Sequence, residues 1–505
     1  MKKVLMGVLS LGLLLGAATG CTSDQEKAAG KTKASSEKTE ATSGASANGY
    51  TDPSELKDSY DVVIVGSGGA GMTAALQAKE AGMNPVILEK MPVAGGNTIK
   101  SSSGMNASQT KFQEKEGIKD SNDKFFEETL KGGKGTNDQE LLRYFVDHSA
   151  EAIDWLDTKG ITLSNLTITG GMSEKRTHRP ADGSAIGGYL VDGLVRNVRE
   201  EKIPLFVDAD VTDLVEENGQ IDGVKVKMKD DKEKTVKAKA VVVTTGCFGA
   251  NEKLITQYKP ELKNYVTTNQ EGTTGDGIQM IQKVGGALVD MKEIQIHPTV
   301  QQSDAFLIGE AVRGEGAILA SQKGERFVNE LDTRDKVSAA INALPEKSAY
   351  LVFDQGVRDR AKAIDFYDQK GFVEKGETIE ELAEKIGMPA DTLKATIDTW
   401  NQDVNAKDDK QFGRTTGMEA DLSTAPYYAI KIAPGIHHTM GGVKINTKTE
   451  VLREDGTPIK GLYAAGELTG GLHGQNRIGG NAIADIIIYG RQAGTQSAEF
   501  ASAQK

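Results

Sequence analysis

The chain has 505 residues, 38% of them hydrophobic and 26% charged. That is ordinary globular composition, long enough for two or three domains. A formal net charge of −12 argues against nucleic acid, because there is no basic stripe to hold a phosphate backbone. It does not exclude a small anionic substrate, since local arginines can dominate a pocket.

At the N-terminus, Lys2 and Lys3 precede an apolar run from Val4 to Leu15, followed by Gly16-Ala17-Ala18-Thr19-Gly20-Cys21. Charged, then apolar, then small is the order of a secretory signal peptide, and the run is short for a bilayer span. Ala18-Thr19-Gly20-Cys21 resembles a bacterial lipobox, with Ala where Leu is usual. The expectation is a signal peptide over 1–21, lipidation of Cys21, and a protein anchored at the extracytoplasmic face of the cell membrane. A plain secretory signal cut nearby is the alternative. With Cys21 acylated only Cys247 remains, and a single thiol makes no intrachain disulfide.

Residues 22–58 carry Lys, Glu, Ala, Ser, Thr and Gly with almost no large apolar groups, which predicts a flexible tether. Within it Ser43-Gly44-Ala45-Ser46 follows Glu40. This resembles the motif by which a transferase attaches FMN through a phosphoester, normally Asp, two residues, then Ser/Thr-Gly-Ala-Ser/Thr. On that reading Ser46 carries a covalent FMN; a chance tetrad in a low-complexity linker is the competing reading.

Folding is predicted to begin near Tyr60. Val62-Val63-Ile64-Val65 is a continuous apolar run, as a buried parallel strand requires. Gly66-Ser67-Gly68-Gly69-Ala70-Gly71 follows, then a predicted helix from Ala74 to Ala81 ending at Gly82, then a strand from Pro85 to Leu88 ending at Glu89. Glycines at 66, 68 and 71 between strand and helix permit a tight turn and close approach of backbone to a pyrophosphate, and Glu89 can accept from ribose hydroxyls. The dinucleotide is further bounded by Gly95-Gly96-Asn97-Thr98 and Ser102-Ser103-Gly104-Met105-Asn106. Val241 to Thr245 with Gly246 reads as another strand returning to it. Gly461 to Glu467 and Gly479-Gly480-Asn481-Ala482 close the set near the C-terminus.

A second group of motifs carries charge: QIHPT with Gln295 and His297, GEAVRG with Glu310 and Arg313, TRDK with Arg334, HHTMGG with His437 and His438, and NRIGGNAI with Arg477. Together with VVIVGSGGAG, GGNT, GERFVNE and GLYAAGE they make the chain from about Tyr60 onward resemble the flavoprotein subunit of the soluble fumarate reductase family. That family includes periplasmic flavocytochrome c and related urocanate and acrylate-type reductases.

The resemblance implies an α/β protein. A Rossmann-like, glutathione reductase-like FAD-binding domain (59–292 and 437–505) would be interrupted by an α+β capping domain (293–436). It implies non-covalent FAD, because Gly95 to Asn106 contains no histidine of the kind that carries FAD in membrane-bound relatives. No C-x-x-C-H occurs, so the haem domain is expected to be absent, and no metal is expected. The implied FAD contacts are Gly66, Gly68, Gly69, Ala70, Gly71, Glu89, Lys90, Gly95, Gly96, Asn97, Thr98, Ser103, Gly104, Gly246, Asp276, His438, Glu467, Ala482 and Ile483.

The implied chemistry is reduction of an α,β-unsaturated carboxylate. Arg334 would be the proton donor, Glu310 and Arg313 its relay, and His437 and Arg477 a carboxylate clamp, with Gln295, His297 and Glu310 helping to hold substrate. Arg334 could instead be a salt-bridged interface arginine, and Glu310 with Arg313 a structural pair. One departure stands out: the family has Thr immediately before the relay Glu, and here it is Gly309, expected to remove a donor and leave space, with Leu307 reshaping the pocket. Fumarate is the leading substrate; urocanate, acrylate, methacrylate or an arylacrylate is the alternative, and a solute-binding lipoprotein the remote one. The electron donor is expected to be a separate extracellular or membrane-associated carrier, or FMN on Ser46. His148, His178, Trp155 and Trp400 read as structural, and His473 stays undecided.

Overall fold

The computed structural model describes residues 49–504; Cys21 and Ser46 lie outside the described residues. A parallel sheet forms from the continuous apolar runs, which only burial on both faces can satisfy. Strand Ser59–Val65 pairs in parallel with Pro85–Leu88 on one side and with Glu233–Val243 on the other. Leu205–Phe206 extends the first side and Pro458–Ala464 the second. Strands Ala209–Glu217 and Gln220–Met228 add an antiparallel extension against the first half of Glu233–Val243.

Helix Gly69–Glu80 starts directly at the glycine fingerprint, five residues before the predicted Ala74. Its first turn holds only small residues, so it shows no apolar signal of its own. The C-terminal helix Asn481–Ala503 crosses it closely. A Cβ at Gly494 would stand 2.4 Å from the Ala74 carbonyl oxygen, and one at Gly490 would stand 2.8 Å from that of Ala70. Two glycines one helical turn apart thus let two backbones touch behind the fingerprint.

A second large sheet, of six strands, is antiparallel, in the order Phe306–Leu307, Ile294–Gln301, Tyr427–Thr439, Ala349–Asp354, Ile318–Ala320, with Glu374–Gly376 also pairing with Tyr427–Thr439. It has its own apolar core, including Leu319, Val352, Phe353, Ile397, Trp400 and Ile430. Strand Tyr427–Thr439 runs unbroken from this core into the other: Ile432 belongs to one cluster and Ile436 to the other. The expected 436/437 division therefore falls inside a continuous strand. Among the described residues, no helix is long and apolar enough to cross a membrane.

Candidate active site

Two adjoining cavities lie along the C-terminal ends of the parallel strands, where an open α/β sheet binds ligands. One has a volume of about 780 Å³ and runs past Gly66, Gly68, Gly69, Ala70, Glu89, Lys90, Gly246 and Asp276. The other, of about 740 Å³, runs past Ser102, Ser103, Gly104, Arg334, His437, His438, Arg477, Ala482 and Ile483. Asn97, Thr98, Glu467 and Ile486 line both, so the two form one trench of the extended shape a dinucleotide needs.

The walls of the first cavity are built for close approach. Gly66 has φ +101°, a left-handed conformation that glycine adopts without strain. Gly69 N–H donates to Thr98 Oγ1 at 3.0 Å, pinning the helix start to the Gly96–Lys100 turn. Glu89 Oε2 accepts from Ser67 N–H at 2.8 Å and from Ser67 Oγ at 2.7 Å, and its Oε1 accepts from Met91 N–H at 2.8 Å. The acid thus braces the fingerprint loop as well as facing the trench. Lys90 pairs with Asp276.

Two expected cofactor contacts, Gly71 and Gly95, pack closely against the chain beside the trench. A Cβ on Gly71 would stand 2.0 Å from the Gly66 carbonyl oxygen, and one on Gly95 would stand 3.1 Å from Val191; both serve packing. Thr244 and Thr245 line the trench where the strand ending before Gly246 returns to it, as expected, and Ser67 lines it from within the fingerprint; Ala209 to Val211, Gln270 and Thr273 line it unanticipated. The glycine-rich turn Gly272-Thr273-Thr274-Gly275 could have signalled part of this, whereas Ala209 to Val211 arrive only through tertiary packing.

The second cavity gathers charge from both cores. Strands Ile294–Gln301 and Tyr427–Thr439 pair with irregular register between Gln295 and Ile296 and between His297 and Val300. Such bulges re-aim side chains next to sites. Arg334 opens helix Arg334–Ala343, and Glu310 precedes the short helix Ala311–Gly314.

The resulting network is buried and directional. Arg334 donates to Glu310 Oε2 from Nη2 at 2.7 Å and from Nε at 3.2 Å, and from Nη1 to Gln295 Oε1 at 3.1 Å. Arg313 Nη2 lies 3.5 Å from Glu310 Oε1. Gln295 Nε2 donates to the Arg477 carbonyl oxygen at 2.7 Å and to Asn476 Oδ1 at 2.8 Å.

Gln295, His297 and Glu310, expected to help hold substrate, stand just behind the residues that line the cavity, and His297 Nε2 and Glu310 Oε1 are buried without a hydrogen-bond partner. Arg334, His437 and Arg477 face the cavity, and Gln295 and Glu310 hold Arg334 from the rear. His297 is fully buried, edge-on to His437 with ring centroids 5.2 Å apart. Gly309 leaves no empty space either. A Cβ there would stand 2.6 Å from Ser102 Oγ, so the serine hydroxyl already fills the position. Leu307 does line the cavity.

Charge states follow from burial and crowding. Burial opposes ionisation of Glu310, but Arg334 and Arg313 outweigh it and hold the carboxyl below its ordinary range. Burial, then the nearby Arg334, brings Arg477 down to about 9; burial brings Arg313 down to about 10. Burial, with the neighbouring arginines, pushes His297, His437 and His438 well below 6.5, so all three rings are neutral. Burial raises Glu467 above the usual carboxylate range.

A further network joins Arg326 and Glu330 of the GERFVNE motif to residues distant in sequence. Arg326 donates from Nε and Nη2 to Glu330 at 2.7 and 2.8 Å and from Nη2 to Asp409 at 2.9 Å; Arg414 Nη1 reaches Glu330 at 3.3 Å. Both guanidinium groups lie over Trp400, 4.5 and 4.7 Å from the ring centroid. Arg414 Nη2 donates to the Arg313 carbonyl oxygen at 2.6 Å, and Arg313 Nη1 to the Glu330 carbonyl oxygen at 2.6 Å. This buried network around Trp400 therefore fixes Arg313, and through it Glu310.

The other histidines divide by surroundings. His178 is buried, with Nε2 2.8 Å from Thr110 Oγ1, and His148 stacks on Tyr144 at 3.9 Å. His473 lies 3.5 Å from Asp485 and edge-on to His438, so it backs a trench residue. Among the described residues no cluster of His, Cys, Asp and Glu could hold a metal ion.

The residues present fit FAD. His438 Nε2, in the trench wall, is buried without a partner. The N-terminus of the 23-residue helix Asn481–Ala503 opens on the cavity through Ala482 and Ile483, a favourable place for negative charge.

A family model described as an FAD binding domain matches residues 61–483. The chain is 54% identical over 444 residues to the NADH:fumarate oxidoreductase of Klebsiella pneumoniae (strain 342), covering 88% of this chain and 48% of that protein. It spans about half of that relative. It is 42% identical to the fumarate reductase (cytochrome) of Shewanella frigidimarina, covering 88% of this chain and 78% of that one. An open conformation of a flavocytochrome c3 fumarate reductase superposes with a TM-score of 0.72 at 40% identity, covering 89% and 79% of the two chains.

Proposed function

We propose that this chain, which belongs to the FAD binding domain family, reduces the C=C bond of a small unsaturated carboxylate, fumarate to succinate. The carrying observation is the convergence of Arg334, His437 and Arg477 on the cavity that continues the dinucleotide trench, with Glu310 paired behind Arg334. FAD, bound non-covalently, supplies the hydride.

The chain's own residues supply the rest. Arg477 binds one carboxylate through its charge, and a guanidinium can do so in bidentate fashion. His437 adds a hydrogen bond. His437 Nδ1 lies 2.8 Å from Thr268 Oγ1, which holds the ring in place, and the neutral imidazole has one N–H to donate and one nitrogen to accept. Arg334 gives a proton to the second alkene carbon. An arginine with pKa above about 12 is a weak acid, but a carbanion-like carbon is basic enough to take its proton. Glu310, flanked by Arg334 and Arg313, returns the proton. Burial of the whole group keeps water from competing.

Relatives named NADH:fumarate oxidoreductase, at 54% identity, and fumarate reductase (cytochrome), at 42%, support this reading. The donor is proposed to be a separate carrier or an FMN on Ser46. Tyr50, Val93 and Ile99 line a surface groove. Gly96 and Lys100 lie in the wall of that groove and of the trench. A lipid on Cys21 would place the enzyme at the extracytoplasmic face of the membrane; the order of charged, apolar and small residues before Cys21 supports it. The direct test is anaerobic oxidation of reduced viologen with fumarate by the FAD-loaded enzyme; absence of turnover sinks the proposal.

A further inference from the structure

Gly309 has an ordinary backbone φ, so conformation does not demand glycine there. Space does: an added Cβ would meet Ser102 Oγ at 2.6 Å and Ser102 Cβ at 3.1 Å. Ser102 is itself 6% exposed, and its hydroxyl is buried without a hydrogen-bond partner. It lines the cavity that Arg334, His437 and Arg477 share. A buried hydroxyl left unmade costs free energy, so an orphan aimed into a site implies a ligand group that completes it.

Gly309 N–H donates to the Tyr367 hydroxyl at 3.1 Å. Tyr367 is buried, and its hydroxyl neighbours Ser102 Oγ, so no apolar group caps the serine on that side and its hydroxyl keeps capacity for a ligand. The other threonines of this wall are occupied. Thr268 Oγ1 lies against Ile436 O and His437 Nδ1, and Thr98 Oγ1 accepts from Gly69.

We infer that Ser102 donates a hydrogen bond to the substrate carboxylate that Arg477 and His437 do not hold, and so sets the preference for a dicarboxylate over a monocarboxylate. The missing side chain at 309 makes room for this hydroxyl. This rests on the proposed reaction and names a specificity residue within it.

The test uses the FAD-loaded full chain and two readouts: fumarate binding followed through the flavin absorbance, and steady-state reduction of fumarate and acrylate. Ser102→Ala should weaken fumarate binding and raise its KM about tenfold to a hundredfold, the range for a hydrogen bond to a charged group. Acrylate reduction and the melting temperature should be unchanged. Gly309→Thr alone should fail, because its Cβ collides with Ser102. The double variant Ser102→Ala with Gly309→Thr should recover fumarate binding, since the hydroxyl then comes from the other side. If wild-type enzyme binds and reduces fumarate and Ser102→Ala does so equally well, Ser102 has no such role and the reaction stands. If wild-type enzyme neither binds nor reduces fumarate, both fall.

Discussion

Arg334 grips one oxygen of Glu310 with two nitrogens, Nη2 at 2.7 Å and Nε at 3.2 Å, with both side chains buried. The third nitrogen, Nη1, is held by Gln295 at 3.1 Å. This arrangement fixes the guanidinium at the cavity wall and couples it to a carboxylate that stays ionised.

Replacing the proposed acid should therefore stop chemistry without emptying the flavin site. Arg334→Gln is expected to lower kcat by at least the ~10²–10⁴-fold of a lost general acid. The flavin spectrum and FAD stoichiometry should stay as in the wild type, because Arg334 lines only the second cavity. Anaerobic viologen assays alongside the visible spectrum check both.

Glu310→Gln tests the relay. The amide keeps the shape and removes the charge that Arg334 and Arg313 hold. We expect loss of turnover comparable to the acid variant, with fumarate binding changed less than tenfold. A full kcat would show that Glu310 does not carry the proton.

Affinity should depend on alkaline pH through Arg477. Its pKa in the free enzyme is about 9, lowered by burial and then by Arg334. Below about 9 the guanidinium is charged and can pair with a carboxylate; above it the charge is lost unless ligand restores it. Fumarate affinity should thus be level from neutral pH to about 9 and then fall up to tenfold per unit. Stability responds in the opposite sense. A basic group whose folded pKa is depressed costs the fold free energy at neutral pH, and that cost is relieved as pH rises through 9. Titrations of the flavin absorbance at fixed ionic strength measure the first effect.

The buried network around Trp400 should be sensitive to a single charge. Glu330 accepts from Arg326 and Arg414, all three buried. Glu330→Gln leaves those cations short of a partner and should destabilise by about 3–5 kcal/mol, as breaking buried pairs does. Because the same network holds Arg313, activity should fall more than FAD binding. Thermal unfolding with kinetics on the folded fraction separates the two.

Much of the FAD half was legible. Val62 to Val65 and Pro85 to Leu88 are short apolar runs, the first leading into the glycine fingerprint and the second into Glu89, and both are strands in the structure. The start of the first helix was misplaced, because Gly69-Ala70-Gly71 carries no apolar periodicity. The site residues sat in recognisable motifs, but their depth did not. That Gln295 and Glu310 stand behind Arg334 depends on strand bulges and on where a helix begins. The pairing of Ser102 with Gly309, like Glu330 with Arg414, joins residues far apart in sequence and is fixed only by packing.

The most direct measurement compares wild-type and Arg334→Gln enzyme, both FAD-loaded, in anaerobic oxidation of dithionite-reduced viologen. The acceptor panel is fumarate, urocanate, acrylate, methacrylate and cinnamate. The account predicts rapid oxidation by the wild type with fumarate, little with the others, and collapse of the fumarate rate in the variant. No fumarate turnover by the wild type, or an undiminished rate in the variant, would contradict it.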